Sequence, residues 1–218
     1  RGTGARPVER RARWSWADSS VAVVPHIDPL PRERLDMTDE AIAGLEALLG
    51  FVPRSTMTMA RVPGLAPAFQ ELGRVIMTSP LIDRTLMLMV AQVASTAAGC
   101  RYCQAHTGHA AERAGVDEAK VEALWSFETD ERFTEGERAA LRLARDSAQV
   151  PNATTAEHFD ALQRHFDDDQ ITVLVAVISL YGFLNRWNDT MATELEDAPL
   201  GFGERSLAPQ GWSVDKHG

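Results

Sequence analysis

Helix start and stop signals follow one another along most of this 218-residue chain. From residue 37 onward, capping residues, apolar side chains at helical spacing and glycine or proline stops recur, with no competing strand pattern. Thr38 is a typical N-cap and Gly50 a typical stop for a helix over 39–49. Further helices are predicted over 64–78, 81–98, 100–114, 117–127, 135–148, 155–166 and 168–196. The pattern predicts an all-α fold of about eight helices.

Local signals refine this prediction. The pairs Thr134/Glu137 and Thr154/Glu157 each form a T-x-x-E pattern, which is typical of a capping box at a helix start. Asp167 and Gln170 fit the start of the last long helix. The helix over 81–98 is apolar on almost every side, so we expect it to be central and buried. The segment 51–62 is predicted to be irregular.

The ends of the chain differ from its middle. Residues 1–36 begin with clustered arginines and continue with Pro25, Pro29 and Pro31, which predicts an extended N-terminal arm. Residues 37–197 carry the helix signals and form one all-α domain. Residues 198–218 contain several prolines and glycines and are predicted to be a C-terminal tail.

Composition excludes several classes of function. With 22 basic and 31 acidic residues the formal charge is −9, which argues against a general nucleic-acid binder. No apolar run reaches the roughly 18 residues that span a bilayer. The N-terminus lacks the apolar core of a secretory signal. We therefore expect a cytoplasmic protein without a membrane partner.

The two cysteines carry the chemistry. Cys100 and Cys103 form a C-x-x-C pair, with His106 three residues further on; if this segment is helical, all three lie along one face. The pKa of a thiol falls near a helix N-terminus and beside an imidazole, and a second cysteine captures an oxidised sulfur as a disulfide. Redox catalysis is therefore one interpretation. Two buried thiols that serve only as small apolar side chains are the alternative.

A zinc site is a further alternative. Cys100, Cys103, His106 and His109 are ligands of the right types. Spread along one straight helix they would span about 14 Å, too far to surround one tetrahedral ion. Zinc would need a ligand from elsewhere, so we predict no metal.

The stretch AGCRYCQAHTGHA resembles the cysteine motif of the AhpD-like, carboxymuconolactone decarboxylase superfamily. The preceding apolar helix (LMLMVAQVAS) fits this family, and the later LNRWNDTMATELE resembles the closing helix of its peroxidase-related members. The resemblance covers about residues 38–197. It implies an all-α fold that assembles into homo-oligomers.

The resemblance also implies an activity, the thiol-dependent reduction of organic or hydrogen peroxides. In this branch the second cysteine, here Cys103, attacks the peroxide, and the first, here Cys100, resolves it as a disulfide. His106 is the nearest match to the histidine that moves protons. Electrons come from a thiol-disulfide reductant protein, and no cofactor is implied.

Two positions depart from the family pattern. Leu88 stands where the AhpD-like branch has a glutamate, and Thr107 where it has a histidine. His109, Glu71 and Asp83 are the candidates to complete the proton relay. Two other functions stay open: a lyase or isomerase acting on a small carboxylated substrate, as in the decarboxylase branch, and a non-catalytic, redox-responsive oligomer.

The polar run Asn185–Asp189 interrupts an otherwise apolar helix. Buried polar groups need partners, so this run is either a structural network or subunit contact, or the wall of a pocket near the cysteines.

Overall fold

The computed structural model describes residues 25–218, so most of the predicted N-terminal arm lies outside the described residues. Within that range the chain is all-α. Its α-helices are α1 (Asp39–Leu49), α2 (Arg54–Met59), α3 (Leu65–Met77), α4 (Arg84–Ala98), α5 (Arg101–Arg113), α6 (Glu118–Glu122), α7 (Glu135–Ser147), α8 (Ala156–Leu162), α9 (Asp168–Met191) and α10 (Asp197–Phe202). The last residues before the domain pack on it, because the Leu30 N–H donates to the Met57 carbonyl at 3.2 Å.

Most predicted caps are present. The Thr38 side chain accepts from the Ala41 N–H, and Gly50 ends α1 with a left-handed φ of 92°. The Thr134/Glu137 capping box starts α7, and the Asp167/Gln170 pair starts α9. The three N-caps, Thr38, Thr134 and Asp167, satisfy backbone N–H groups that a helix start leaves without partners.

The predicted box at Thr154 is wrong by one residue. Thr155 is the N-cap of α8, and its backbone N–H donates to Nδ1 of His158 at 3.1 Å. The other ring nitrogen of His158 lies 2.9 Å from Oδ2 of Asp146. This contact fixes the His158 ring, and the T-x-x-E pattern at the helix start does not indicate it.

Helix α4 forms the centre of the core, as predicted. Ten of its fifteen residues, Leu86 to Ser95, are buried. It packs against α5, α7 and α9, which surround it. A helix that is apolar all round is stable only in such a position. The segment 51–62 is not irregular throughout, since it contains the short helix α2, which starts after Pro53.

Helix α9 ends five residues earlier than predicted. It stops at Met191 because Ala192 adopts a left-handed conformation, with φ of 48°, and the Thr193 N–H turns back to the Asn188 carbonyl at 3.1 Å. The following Leu195 N–H pairs with the carbonyl of His217 at 2.8 Å. The residues after Met191 therefore cross the domain instead of extending the helix.

Among the described residues, α9 alone has the length and hydropathy of a membrane span. The core helix of a globular protein passes the same test, and α9 packs against α3, α4, α5 and α7.

The C-terminal residues, predicted to be a tail, fold back onto the domain. Helix α10 and the turns after it pack against α5, where the Phe202 ring lies over Gly108. The Trp212 indole N–H donates to the Arg101 carbonyl at 3.2 Å, and His217 is buried. These aromatic side chains bury apolar area against the domain. The glycine and proline content of the segment had indicated only a tail.

We predict that Gly203→Ala destabilises the protein by about 1–3 kcal/mol, a cost typical of overpacking. An added Cβ would lie 2.6 Å from the Trp212 ring, so the C-terminal segment would have to move. Thermal unfolding measures the effect. The matched control is Gly201→Ala, whose Cβ meets nothing within 4 Å. Equal melting temperatures for the two variants would contradict the packing.

Candidate active site

The cysteine pair lies at the junction of α4 and α5. Gly99 ends α4 in a left-handed conformation, with φ of 77°, and turns the chain. Cys100 is then the N-cap of α5, and its sulfur accepts from the backbone N–H of Cys103 at 3.4 Å. An N-cap side chain faces the third residue of its helix, which brings the two cysteine side chains together. Both are free thiols and both are buried.

A cavity of about 650 Å³ opens beside one of these thiols. It lies between α1, α3, α4, α5 and α9, and Cys103 lines it while Cys100 does not. Its wall is mainly apolar and includes Leu45, Leu49, Phe69, Met77, Leu88 and Leu184. A small molecule in this cavity would therefore meet the sulfur of Cys103 first.

The surroundings of Cys103 oppose its ionisation. Burial raises the pKa of this thiol well above its ordinary value, and the neighbouring Cys100 adds to the shift. The side-chain amide of Asn188, on α9, donates to the Cys103 sulfur at 3.5 Å and acts in the opposite direction. Sequence reasoning, which expected the helix N-terminus and an imidazole to lower the pKa, did not include desolvation.

His106 lines the same cavity and is fixed by three contacts. Its Nε2 lies 2.6 Å from Oε2 of Glu196, and its ring stacks on Tyr102 with centroids 4.2 Å apart. The Phe51 ring meets it edge-on at 5.5 Å. The imidazole is thus held in one orientation beside the cavity that contains Cys103.

Glu196 is the acidic residue of the site, and the sequence did not indicate it. It follows the early end of α9, and its carboxylate accepts from the Tyr102 hydroxyl at 3.1 Å and from the Arg54 backbone N–H at 2.6 Å. Burial alone would raise its pKa. His106 and the Arg54 N–H outweigh burial, so the pKa lies below the ordinary value. Glu196 is therefore ionised at neutral pH.

Tyr102 complements this carboxylate. Burial, and then the charge of Glu196, raise the pKa of its phenol well above 10. The hydroxyl therefore stays protonated and donates to Glu196. Tyr102, His106 and Glu196 form one hydrogen-bonded network, which we call the Glu196 network.

The two departures from the family pattern have different surroundings. Leu88 is buried in the cavity wall and makes that wall apolar. Thr107 is buried away from the cavity, and its hydroxyl donates to the Cys103 carbonyl at 2.7 Å and contacts Gln92. Neither residue can move a proton at Cys103, and the only carboxylate that contacts His106 in the described part of the chain is Glu196.

No hydrogen bond joins the other candidate relay residues to His106 within residues 25–218. His109 is largely buried outside the cavity, 3.7 Å from a Glu112 oxygen, and burial lowers its pKa. Glu71 is at the cavity rim, where a hydrogen bond from Arg74 lowers its pKa. Asp83 caps α4 and accepts from the Thr85 N–H at 2.8 Å.

No group of three or more histidine, cysteine or acidic residues within 25–218 is arranged to hold a metal ion. In the polar run, Asn188 reaches the thiol, whereas Trp187 donates to the Thr58 hydroxyl at 3.1 Å. The run therefore serves both as a pocket wall and as part of a structural network.

Fold and site together define an all-α protein with a buried thiol pair beside an apolar cavity. The family model of the carboxymuconolactone decarboxylase family matches residues 63–146. The debrominase Bmp8, solved as a cysteine-to-alanine variant in complex with 2,3,4-tribromopyrrole, is 35% identical, with a TM-score of 0.78 over 84% of this chain and 98% of Bmp8. The chain belongs to the carboxymuconolactone decarboxylase family.

More distant structures share the fold. A peroxidase-related protein with an AhpD core from Ralstonia eutropha JMP134 is 20% identical, with a TM-score of 0.67 over 84% of this chain and 96% of that one. One from Silicibacter sp. TM1040 is 21% identical, with a TM-score of 0.66 over 83% and 95%. No curated protein matches significantly.

We predict that Glu196→Gln lowers the free energy of unfolding at pH 7 by about 1.5–3 kcal/mol, as expected for loss of hydrogen bonds to a charged group. Because folding lowers the pKa of Glu196 from its ordinary 4.5, its stabilisation is present above that value and disappears as the pH falls through the folded pKa. Denaturant unfolding at several pH values measures the difference.

The control is Glu194→Gln, which alters an exposed carboxylate 3.5 Å from Arg54 and should change stability little. A Glu196→Gln effect that is the same at pH 3 and pH 7 would show that its charge is not involved.

Proposed function

We propose that this protein is a thiol-dependent reductase that removes a halogen from a small, apolar, halogenated aromatic molecule. One observation carries the proposal: of the two cysteines, only Cys103 lines the apolar cavity of about 650 Å³. Such a volume is typical of small-molecule sites. The 35% identity to a debrominase supports the choice of substrate class.

The reaction balances with the two thiols alone. The Cys103 thiolate attacks the halogen, so a sulfur–halogen bond forms and the carbon–halogen bond breaks, leaving its electron pair on the ring carbon. That carbon takes a proton, and Cys100 then attacks the Cys103 sulfur, expelling halide and forming the disulfide. The aromatic carbon is reduced by two electrons and the thiol pair is oxidised by two.

The Glu196 network supports the proton transfers. Burial raises the pKa of the Cys103 thiol, so this thiol must lose its proton to a base before it attacks. His106 lines the cavity, and its Nε2 lies 2.6 Å from the ionised carboxylate of Glu196. We propose that His106 takes the proton of Cys103 and returns one to the ring carbon. The network would thereby replace the glutamate that the family has at position 88, where this chain has leucine.

Reduction of an organic hydroperoxide is the second candidate. The Cys100/Cys103 pair, with Cys103 attacking and Cys100 resolving, would perform that chemistry through a sulfenic acid. The same network would then protonate the leaving alkoxide. The apolar wall at Leu88 favours an organic hydroperoxide over hydrogen peroxide.

The cycle needs a reducing compartment and a thiol donor, so we propose a cytoplasmic location. Assembly into a homo-oligomer stays a prediction.

We predict that wild-type protein with excess dithiothreitol releases bromide from a fully brominated pyrrole over many turnovers, and that Cys103→Ser releases none. The matched control, Cys100→Ser, retains the attacking sulfur, so it should release debrominated product once per site and then proceed slowly. Bromide release and product mass measure both.

Parallel assays with cumene hydroperoxide separate the two candidate substrates. Equal turnover in wild type and Cys103→Ser would exclude both thiol mechanisms. Activity on a small carboxylated lactone that survives alkylation of both thiols would instead favour the lyase or isomerase.

A further inference from the structure

A second cavity, of about 740 Å³, lies on an adjacent face of α9. The C-terminal ends of α4 and α7, the chain that follows α7, and α9 itself form its wall. Ala97 and Ala98 line it, and the chain continues from them through Gly99 to Cys100. The first cavity thus reaches Cys103, whereas the second adjoins the segment that leads to Cys100.

The second cavity contains an unsatisfied amide. Asn185 lines it and is only 4% exposed, yet neither its amide oxygen nor its amide nitrogen has a hydrogen-bond partner within residues 25–218. The hydroxyl of Thr154, in the same wall, is also buried and unpartnered. Buried polar groups of native proteins nearly always have partners. A ligand that presents both a carbonyl and an N–H, as a peptide group does, would satisfy Asn185.

The charges in this wall have both signs. Arg186 is exposed, and Asp189, which also pairs with Lys216 at 2.9 Å, lies one turn further along α9. Apolar residues, Leu143 and Ile178 among them, separate the polar groups. This combination is complementary to a molecule that carries a carboxylate, an ammonium group and an amide on a short aliphatic chain.

We propose that the second cavity binds a small peptide-like thiol, which is the electron donor of the enzyme. This inference rests on the proposed thiol cycle and assigns its reductant. A concave cavity of this volume suits a small molecule better than the surface of a reductant protein.

The reduction step balances as ordinary thiol-disulfide exchange. The donor thiolate attacks the Cys100 sulfur, forming a mixed disulfide and releasing Cys103 as a thiolate toward the substrate cavity. A second donor thiol then attacks the donor sulfur of the mixed disulfide. The two donor molecules leave as one disulfide, and the released Cys100 thiolate takes up a proton. Because Cys100 is fully buried, the Ala98–Cys100 segment has to open during the attack.

The test follows reduction of the oxidised protein, without any halogenated substrate. Protein converted to the Cys100–Cys103 disulfide with diamide is mixed with glutathione, a tripeptide thiol, or with dithiothreitol, and the free thiols are counted by alkylation and mass spectrometry. We expect Asn185→Leu to raise the half-saturating glutathione concentration about tenfold, because the variant loses two neutral hydrogen bonds to the ligand. The rate with dithiothreitol should stay unchanged.

Two further variants keep the test interpretable. Arg186→Gln, at an exposed position, should raise the half-saturating concentration of glutathione and leave the rate with dithiothreitol unchanged. Ser206→Ala removes a buried, unpartnered hydroxyl outside both cavities and should affect neither reductant. Asn185→Leu should not unfold the protein, because replacing an unsatisfied buried amide by an apolar side chain of similar size removes a desolvation penalty.

The outcomes separate the two proposals. If diamide produces no Cys100–Cys103 disulfide, the proposed thiol cycle fails. If the disulfide forms but glutathione reduces wild type and Asn185→Leu alike, or reduces neither while a thioredoxin-type protein reduces both, the cavity does not bind the donor and the present inference is overturned.

Discussion

Burial of two thiols at the first turn of α5 is the constraint on which the site depends. The left-handed turn at Gly99 places Cys100 as the N-cap and Cys103 at the third helical position, so that the two side chains face each other. The buried helix α4 and the long helix α9 enclose them. Enclosure excludes water, and it raises the pKa of Cys103 and so disfavours its thiolate form.

One neighbour of Cys103 opposes this shift, and a second hydrogen-bonded group lies close by. Asn188 donates to the Cys103 sulfur, and ionised Glu196 is hydrogen-bonded to His106 at the edge of the cavity. Glu196 is available because α9 ends at Met191, and the C-terminal segment holds the crossing chain through the bond between Leu195 and His217. The orientation of His106 in α5 thus depends on a residue that lies 90 positions later in the chain.

Sequence reasoning recovered the features that local physics determines. The bounds of α1, the capping box at Thr134 and the buried position of α4 follow from caps and periodicity within a few residues. The end of α9 and the role of Glu196 depend on contacts with Arg54, Tyr102 and His217, which are distant in the chain. Pro199 was the one local sign that the helix ended early. The one-residue shift at Thr155 has the same origin, because Asp146 anchors His158.

In the proposed cycle Cys103 attacks the substrate and Cys100 closes the disulfide. The most direct measurement is one reaction of pre-reduced protein with less than one equivalent of brominated pyrrole, followed by alkylation and peptide mapping. We expect one Cys100–Cys103 disulfide for each debrominated product and each bromide released, with no ring fragment attached to either sulfur. Product formed while both thiols remain free, or a stable aryl adduct on Cys103, would contradict it.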